Sequence, residues 1–210
     1  MRFIDAEVTT LDLIRHGEPV GGRMLRGTTD HPLSERGWQQ MQCATDELLI
    51  EGTPPWDAIV TSPLARCREF ALWLGETHDL PVTVDPRLAE MDLGAWEGKT
   101  HAEVRALEQA MDLQAALWAD PSRTSPPGGE SVEAFDKRVG AAWQELVETP
   151  PGRHLLVVCH LFVTNAMLRQ VLEQPLSRIL AFDLPYAATC RLRHERHALG
   201  GTSLVEWIGR

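Results

Sequence analysis

Apolar residues along the chain fall into short unbroken runs separated by longer stretches of helical spacing. The runs "TTLDLIR" (9–15), "DAIVTS" (57–62), "PVTVD" (81–85) and "HLLVVCH" (154–160) have the length of buried strands, and the last is the most apolar. Between them, Ser34 reads as an N-cap for a helix through about residue 50, ended by Gly52 and Pro54-Pro55. Pro63 opens a second helix, "PLARCREFALWLGETH". Thr100 and Glu103 match a capping box for a helix to about Trp118. A loop at 120–130, a helix near 131–148 and, after the strand at 154–160, a helix running to Gln174 before Pro175 follow. Two or three strands close the chain, "ILAFDL", "ATCRLRH" and "SLVEWI". Strands alternating with helices predict an α/β fold. The expected architecture is a single domain over residues 1–210, with a mostly parallel central sheet flanked by helices on both faces.

Composition narrows the class. The 210 residues are 43% hydrophobic, enough for a substantial core. A formal charge of −10 disfavours a nucleic-acid or anionic-membrane partner, and local cations must build any anion site. All but two of the 20 cationic side chains are arginine, the exceptions being Lys99 and Lys137. Arginine suits bidentate contacts to oxyanions, although base composition of the genome accounts for the bias more simply. Four scattered cysteines form no C-x-x-C pair, and the histidines show no metalloprotease spacing. The N-terminus has no apolar leader, so a cytoplasmic setting is expected.

Polar residues stand where the strands end. The first run ends at Arg15-His16, the second leads into "TSPLAR" with Arg66, and the fourth ends at His160. In open α/β sheets ligands sit at the carboxyl ends of strands. Two imidazoles and two guanidiniums on one sheet edge are far less expected by chance than the triplet Arg-His-Gly alone.

Five blocks, in order, resemble the histidine phosphatase superfamily, the phosphoglycerate-mutase-like proteins: "LIRHGE", "GTTDHPLSERGWQQM", "SPLARC", "LAEMDLGAWEG", and "GGES" with "VVCH". "RHGEPVGG" and "WADPSRTSPPGGESVEAF" are most similar to α-ribazole phosphatases of cobalamin biosynthesis. The resemblance implies a phosphomonoester hydrolase without metal or cofactor. His16 is the expected nucleophile, and Glu90 the general acid, then base. Arg15, Arg66 and His160 are the expected phosphoryl ligands, with His160 charged at work. Arg26, Gly27 and Thr28 are expected to touch the phosphate or the rest of the substrate. Asp92 and Glu97 compete for the acid role, but the L-x-E spacing selects Glu90 and leaves Glu97 to order the loop. The implied partner is a small phosphomonoester, with a homodimer as the assembly considered.

Two departures stand out. Leu161 and Phe162 follow the second histidine where the family usually has glycine, and Gly22 occupies a position that is Asn in many members. Two other readings were weighed. A mutase would return the phosphoryl group to a sugar acid; the 70-position spacing from Glu90 to His160 is short for one. A phosphatase-like binding module without catalysis is opposed by the complete set Arg15, His16, Arg66, Glu90 and His160.

Overall fold

The computed structural model describes residues 6–107, 125–148, 152–198 and 200–209. Its six strands form one sheet: β1 (Glu7–Arg15), β2 (Ala58–Thr61), β3 (Val82–Val84), β4 (His154–Cys159), β5 (Thr189–His197) and β6 (Gly200–Ile208), in the order β3-β2-β4-β1-β5-β6. The first four strands run parallel, and β5 and β6 complete the sheet by antiparallel pairing. The helices are α1 (Glu35–Asp46), α2 (Ala65–His78), α3 (His101–Arg105), α4 (Val132–Glu148) and α5 (Leu161–Val171).

The unbroken apolar runs are explained by burial on both faces, as parallel strands require. Leu11 and Leu13 of β1, Ala58 and Val60 of β2, and Leu155 and Val157 of β4 pack under α4 and α5. Ile14, Ile59, Leu156 and Val158 point the other way, into a core closed by Met41 of α1 and Phe70 of α2. The expected mostly parallel sheet with helices on both faces is therefore observed.

Several boundaries differ. "ILAFDL" is not a strand: residues 179–184 form turns and coil. Its apolar character serves burial of Ile179 and Leu184 in the core. Its backbone is paired with a side chain instead of a strand, because the Asn165 amide both donates to the Phe182 carbonyl (3.0 Å) and accepts the Phe182 N–H (2.9 Å). The first helix stops at Asp46, four residues before the expected end. The capping box at Thr100 is present, with Thr100 Oγ1 accepting from the Glu103 amide at 3.1 Å and the Glu103 carboxylate accepting from the Thr100 amide at 2.7 Å. The described helix ends at Arg105; most of its expected continuation to Trp118, and half of the loop at 120–130, lie outside the described residues. Among the described residues, no helix is long and apolar enough to cross a membrane.

Candidate active site

Strand order places the chemistry. Parallel β2, β4 and β1 are neighbours, and their ends fall within one residue of each other: Arg15 opposite Cys159, and Thr61 opposite Val158. The next residue of each strand, His16, His160 and Ser62, therefore emerges at the same edge. The His16 and His160 rings meet edge to face, with centroids 5.2 Å apart.

His16 is 5% exposed. Its amide donates to the Cys159 carbonyl (2.9 Å), and its Nδ1 lies 2.8 Å from the Gly17 carbonyl. A carbonyl only accepts, so Nδ1 carries the proton and Nε2 keeps its lone pair. Burial first, then the charges of Arg66, Arg15 and Arg26, hold its pKa well below 6.5 against the opposing bond to Gly17. The two glycines nearby are steric necessities. A Cβ on Gly17 would stand 2.2 Å from the Gly37 carbonyl oxygen, and one on Gly37 would stand 2.1 Å from that of Glu18. The turn after His16 thus crosses the start of α1 backbone to backbone.

Arg66 lies in the first turn of α2 and is fully buried. Its two terminal nitrogens donate to the carbonyls of Thr29 (2.9 Å) and Gly27 (2.7 Å). The loop that accepts them is itself held by Glu97, whose carboxylate takes the amides of Gly27 (3.1 Å), Thr28 (2.8 Å), Thr29 (3.1 Å) and Leu93 (3.1 Å), and the Thr29 hydroxyl. Burial would raise the Glu97 pKa, but these bonds outweigh it and lower it. Asp30 accepts the first helical amide of α2, from Ala65, at 2.6 Å.

Arg15 lies 4.5 Å over the Tyr186 ring and donates to the Leu184 carbonyl. Among the described residues, the Nε atoms of Arg15 and Arg66 are buried without a partner. Donors kept unsatisfied at this edge are what an oxyanion would engage.

Glu90 is 5% exposed. Burial raises its pKa from 4.5; Arg66, the amides of Phe162 (3.3 Å) and Met91 (3.1 Å), and Arg15 pull the other way without cancelling it. Arg138 of α4 donates to the carbonyls of Arg87 (2.6 Å), Ala89 (2.7 Å) and Glu90 (3.1 Å), and pairs with Glu130 at 2.8 Å. Arg138 and Glu130 thus fix the segment that carries Glu90. Sequence reasoning did not single out Arg138 or Tyr186, and it placed Asp30 in a motif without a role. Nothing in the local pattern of Arg138 and Tyr186 marks them, because their partners are distant in the chain.

His160 is fully buried and forms the N-cap of α5. Burial, followed by Arg66, His16, Arg15 and Arg138, lowers its pKa well below 6.5, so in the chain alone it is neutral. The expectation of a charged His160 concerns the ring at work, when a bound anion would raise its pKa. Leu161 and Phe162, in the place of the family's glycine, begin α5 and turn their side chains into the wall of the cavity.

That cavity, of about 920 Å³, is lined by Arg15, His16, Arg26 and Glu90, with Trp96, Phe162 and Tyr186 among its apolar walls. Arg26 is tied to the carbonyls of Val20 and Gly22 at 2.7 Å each. Of the expected substrate contacts, Arg26 faces the cavity, whereas Gly27 and Thr28 are not part of its lining. Gly27 acts through Arg66, and a Cβ there would stand 2.0 Å from the Met91 carbonyl oxygen. Thr28 is exposed and spends its amide on Glu97.

A profile of the histidine phosphatase superfamily (branch 1) matches residues 11–207. A bifunctional protein of Mycobacterium tuberculosis is 35% identical over 167 residues, 79% of this chain but 44% of that protein. The chain thus spans under half the length of that relative. A glucosyl-3-phosphoglycerate phosphatase of Mycobacterium tuberculosis is 34% identical over 178 residues, 80% of this chain and 77% of that protein. A solved structure of a mycobacterial protein of that name superposes with a TM-score of 0.83 at 28% identity, covering 97% of this chain and all of that one. The α-ribazole phosphatase of Shigella flexneri superposes with a TM-score of 0.74 at 26% identity, covering 93% and 95%. With the family profile spanning the sheet from β1 to β6, and the strand-end histidines and arginines assembled on one edge, the chain belongs to the histidine phosphatase superfamily.

Proposed function

We propose that this chain is a phosphomonoester hydrolase that works through a phosphohistidine at His16. The observation that carries the reading is a neutral imidazole whose Nδ1 is spent on the Gly17 carbonyl and whose Nε2 is free, set among cations and beside a carboxyl biased towards its protonated form. Nε2 attacks phosphorus as the P–O ester bond breaks. Arg15, Arg66 and His160 receive the charge spread over the phosphoryl oxygens. Glu90 gives its proton to the leaving alkoxide, which departs as an alcohol. The Glu90 carboxylate then takes a proton from water, whose oxygen attacks phosphorus as the P–N bond breaks. Phosphate leaves, and His16 and Glu90 return to their starting states. The scheme assigns every step to protein groups and uses no metal.

The substrate is a small phosphorylated metabolite. The sequence relative and the structure that superposes with a TM-score of 0.83 support a glycosylated phosphoglycerate, while the loop resemblance and the structure that superposes at 0.74 support α-ribazole 5′-phosphate. Arg26 facing the cavity and its aromatic walls suit a leaving group with both polar and apolar parts. A panel containing both compounds, read by released phosphate, chooses between them.

The reading is tested by rapid quenching of single turnovers with 32P-labelled substrate in excess EDTA. Wild-type chain is expected to carry acid-labile, base-stable label, and His16→Ala to carry none while keeping its circular dichroism spectrum. Acid-stable label, label persisting in the variant, or turnover abolished by EDTA and restored by a divalent metal would overturn the scheme.

A further inference from the structure

The Ser62 hydroxyl, fully buried, lies 2.6 Å from His160 Nε2. It already accepts the Leu64 amide at 3.3 Å. A hydroxyl has one proton, and among the described residues Nε2 is its only acceptor. If Nε2–H were the donor, the serine proton would be buried without a partner, which native interiors avoid. Cys67 does not compete. Its proton goes to the Cys159 carbonyl at 3.4 Å, which leaves its sulfur, 3.8 Å from His160 Nδ1, as the acceptor for an Nδ1–H.

From this geometry we infer that Ser62 is a positioning residue: its hydroxyl donates to Nε2 of His160 and holds the neutral ring in the tautomer protonated on Nδ1. The inference deepens the phosphatase reading and, for its catalytic consequence, rests on it. A neutral imidazole has one donor and one acceptor. Facing a phosphoryl oxygen with its acceptor, it would repel; with Nε2 spent on Ser62, the remaining nitrogen is an N–H. Ser62 thereby lets a neutral histidine serve as a donor to an anion. Free imidazole side chains favour the other tautomer, so the bias must come from the protein. The groups facing His160 are Arg66 and Cys67 of α2, Arg15 of β1, His16 after it, and Arg138 of α4. Burial first, and then these cations, keep the ring neutral, the state in which tautomer choice matters.

The direct test is two-bond 15N–1H correlation spectroscopy of the whole chain labelled with 15N-histidine, with His160 assigned by its absence from His160→Gln. Wild-type His160 is expected to show a protonated Nδ1 at neutral pH. Ser62→Ala is expected to shift the population to protonated Nε2, and Ser62→Thr to restore it. Protonated Nε2 in the wild type overturns the inference whatever the variants do. Kinetics give the consequence. Above neutral pH, Ser62→Ala should lose roughly 10²-fold in kcat, the usual loss for one oxyanion donor. The loss should shrink as pH falls, because imidazolium carries an N–H on both nitrogens. A loss equal at all pH values would mark a merely structural role and overturn the catalytic part. A wild type that hydrolyses no phosphomonoester would instead overturn the phosphatase reading, with the tautomer result unaffected.

Discussion

Glu90 is a buried carboxyl beside two arginines that does not ionise as readily as its neighbours would make it, because desolvation outweighs Arg66 and the amides that accompany it. A raised pKa keeps it protonated to higher pH, while the lowered pKa of His16 keeps that ring neutral to lower pH. Phosphorylation of the enzyme is therefore expected between the two limits, lost at low pH as His16 protonates and at high pH as Glu90 ionises. Glu90→Gln removes the proton and the alkaline limb together. Its cost should depend on the leaving group. An alkyl phosphate should lose about 10²–10⁴-fold in the phosphorylation step, and p-nitrophenyl phosphate, whose phenolate leaves without protonation, much less. Equal losses in single-turnover rates would remove Glu90 from the acid role and bring Asp92 forward. Glu97 is not a competitor, since its carboxylate is occupied by four amides and a hydroxyl. The loop-ordering role of Glu97 was legible in the sequence; the clamp of Arg138 on the carbonyl of Glu90 was not, because the two are 48 positions apart.

Among the elements, the loop from Gly27 to Asp30 connects most of the site. It offers carbonyls to Arg66, a carboxylate to the start of α2 and amides to Glu97. Glu97→Gln would replace an acceptor oxygen by an NH2 group facing N–H donors. Each buried donor left unsatisfied costs about 1–3 kcal/mol, so a comparable fall in unfolding free energy is expected in urea. The loop carbonyls should then hold Arg66 less firmly, and inhibition by inorganic phosphate should weaken at least several-fold. Unchanged phosphate affinity in a stable variant would show that Arg66 does not depend on the loop. The motif G-x-x-D in this segment was recognised from sequence as a block, and substrate contact was expected from Arg26, Gly27 and Thr28 alike. The fold gives Gly27 to Arg66 and Thr28 to Glu97, leaving Arg26 on the cavity.

At the scale of the whole molecule, one buried carboxylate ties the sheet together on the side opposite the candidate site's strand ends. Asp12 in β1 accepts from Trp56 Nε1 (2.8 Å), from His154 Nε2 (2.9 Å) and from Arg191 (2.6 and 2.9 Å), joining β1, β4, β5 and the approach to β2. Burial would raise its pKa above 3.8, but these hydrogen bonds prevail and lower it. A group with a depressed folded pKa stabilises fully above the unfolded value and loses that contribution as pH falls through the folded one. Asp12→Ala, which strands Arg191 and Trp56, should cost about 3–5 kcal/mol at neutral pH, with the difference from wild type narrowing in acid below pH 3.8. A pH-independent or negligible difference in denaturant unfolding would refute the account. The sequence by itself determined the alternation of strand and helix, the sheet's parallel half, the family and the strand-end residues Arg15, His16, Arg66 and His160. These depend on local periodicity and on short motifs, both readable along a line. Only the tertiary structure decided that "ILAFDL" is a buried coil held by Asn165, that Phe162 walls the cavity, that Ser62 lies against His160 and that Arg138 holds the segment of Glu90. The physical reason is that a buried polar group takes whichever partner the packing brings near, and such partners lie tens of residues away in the chain.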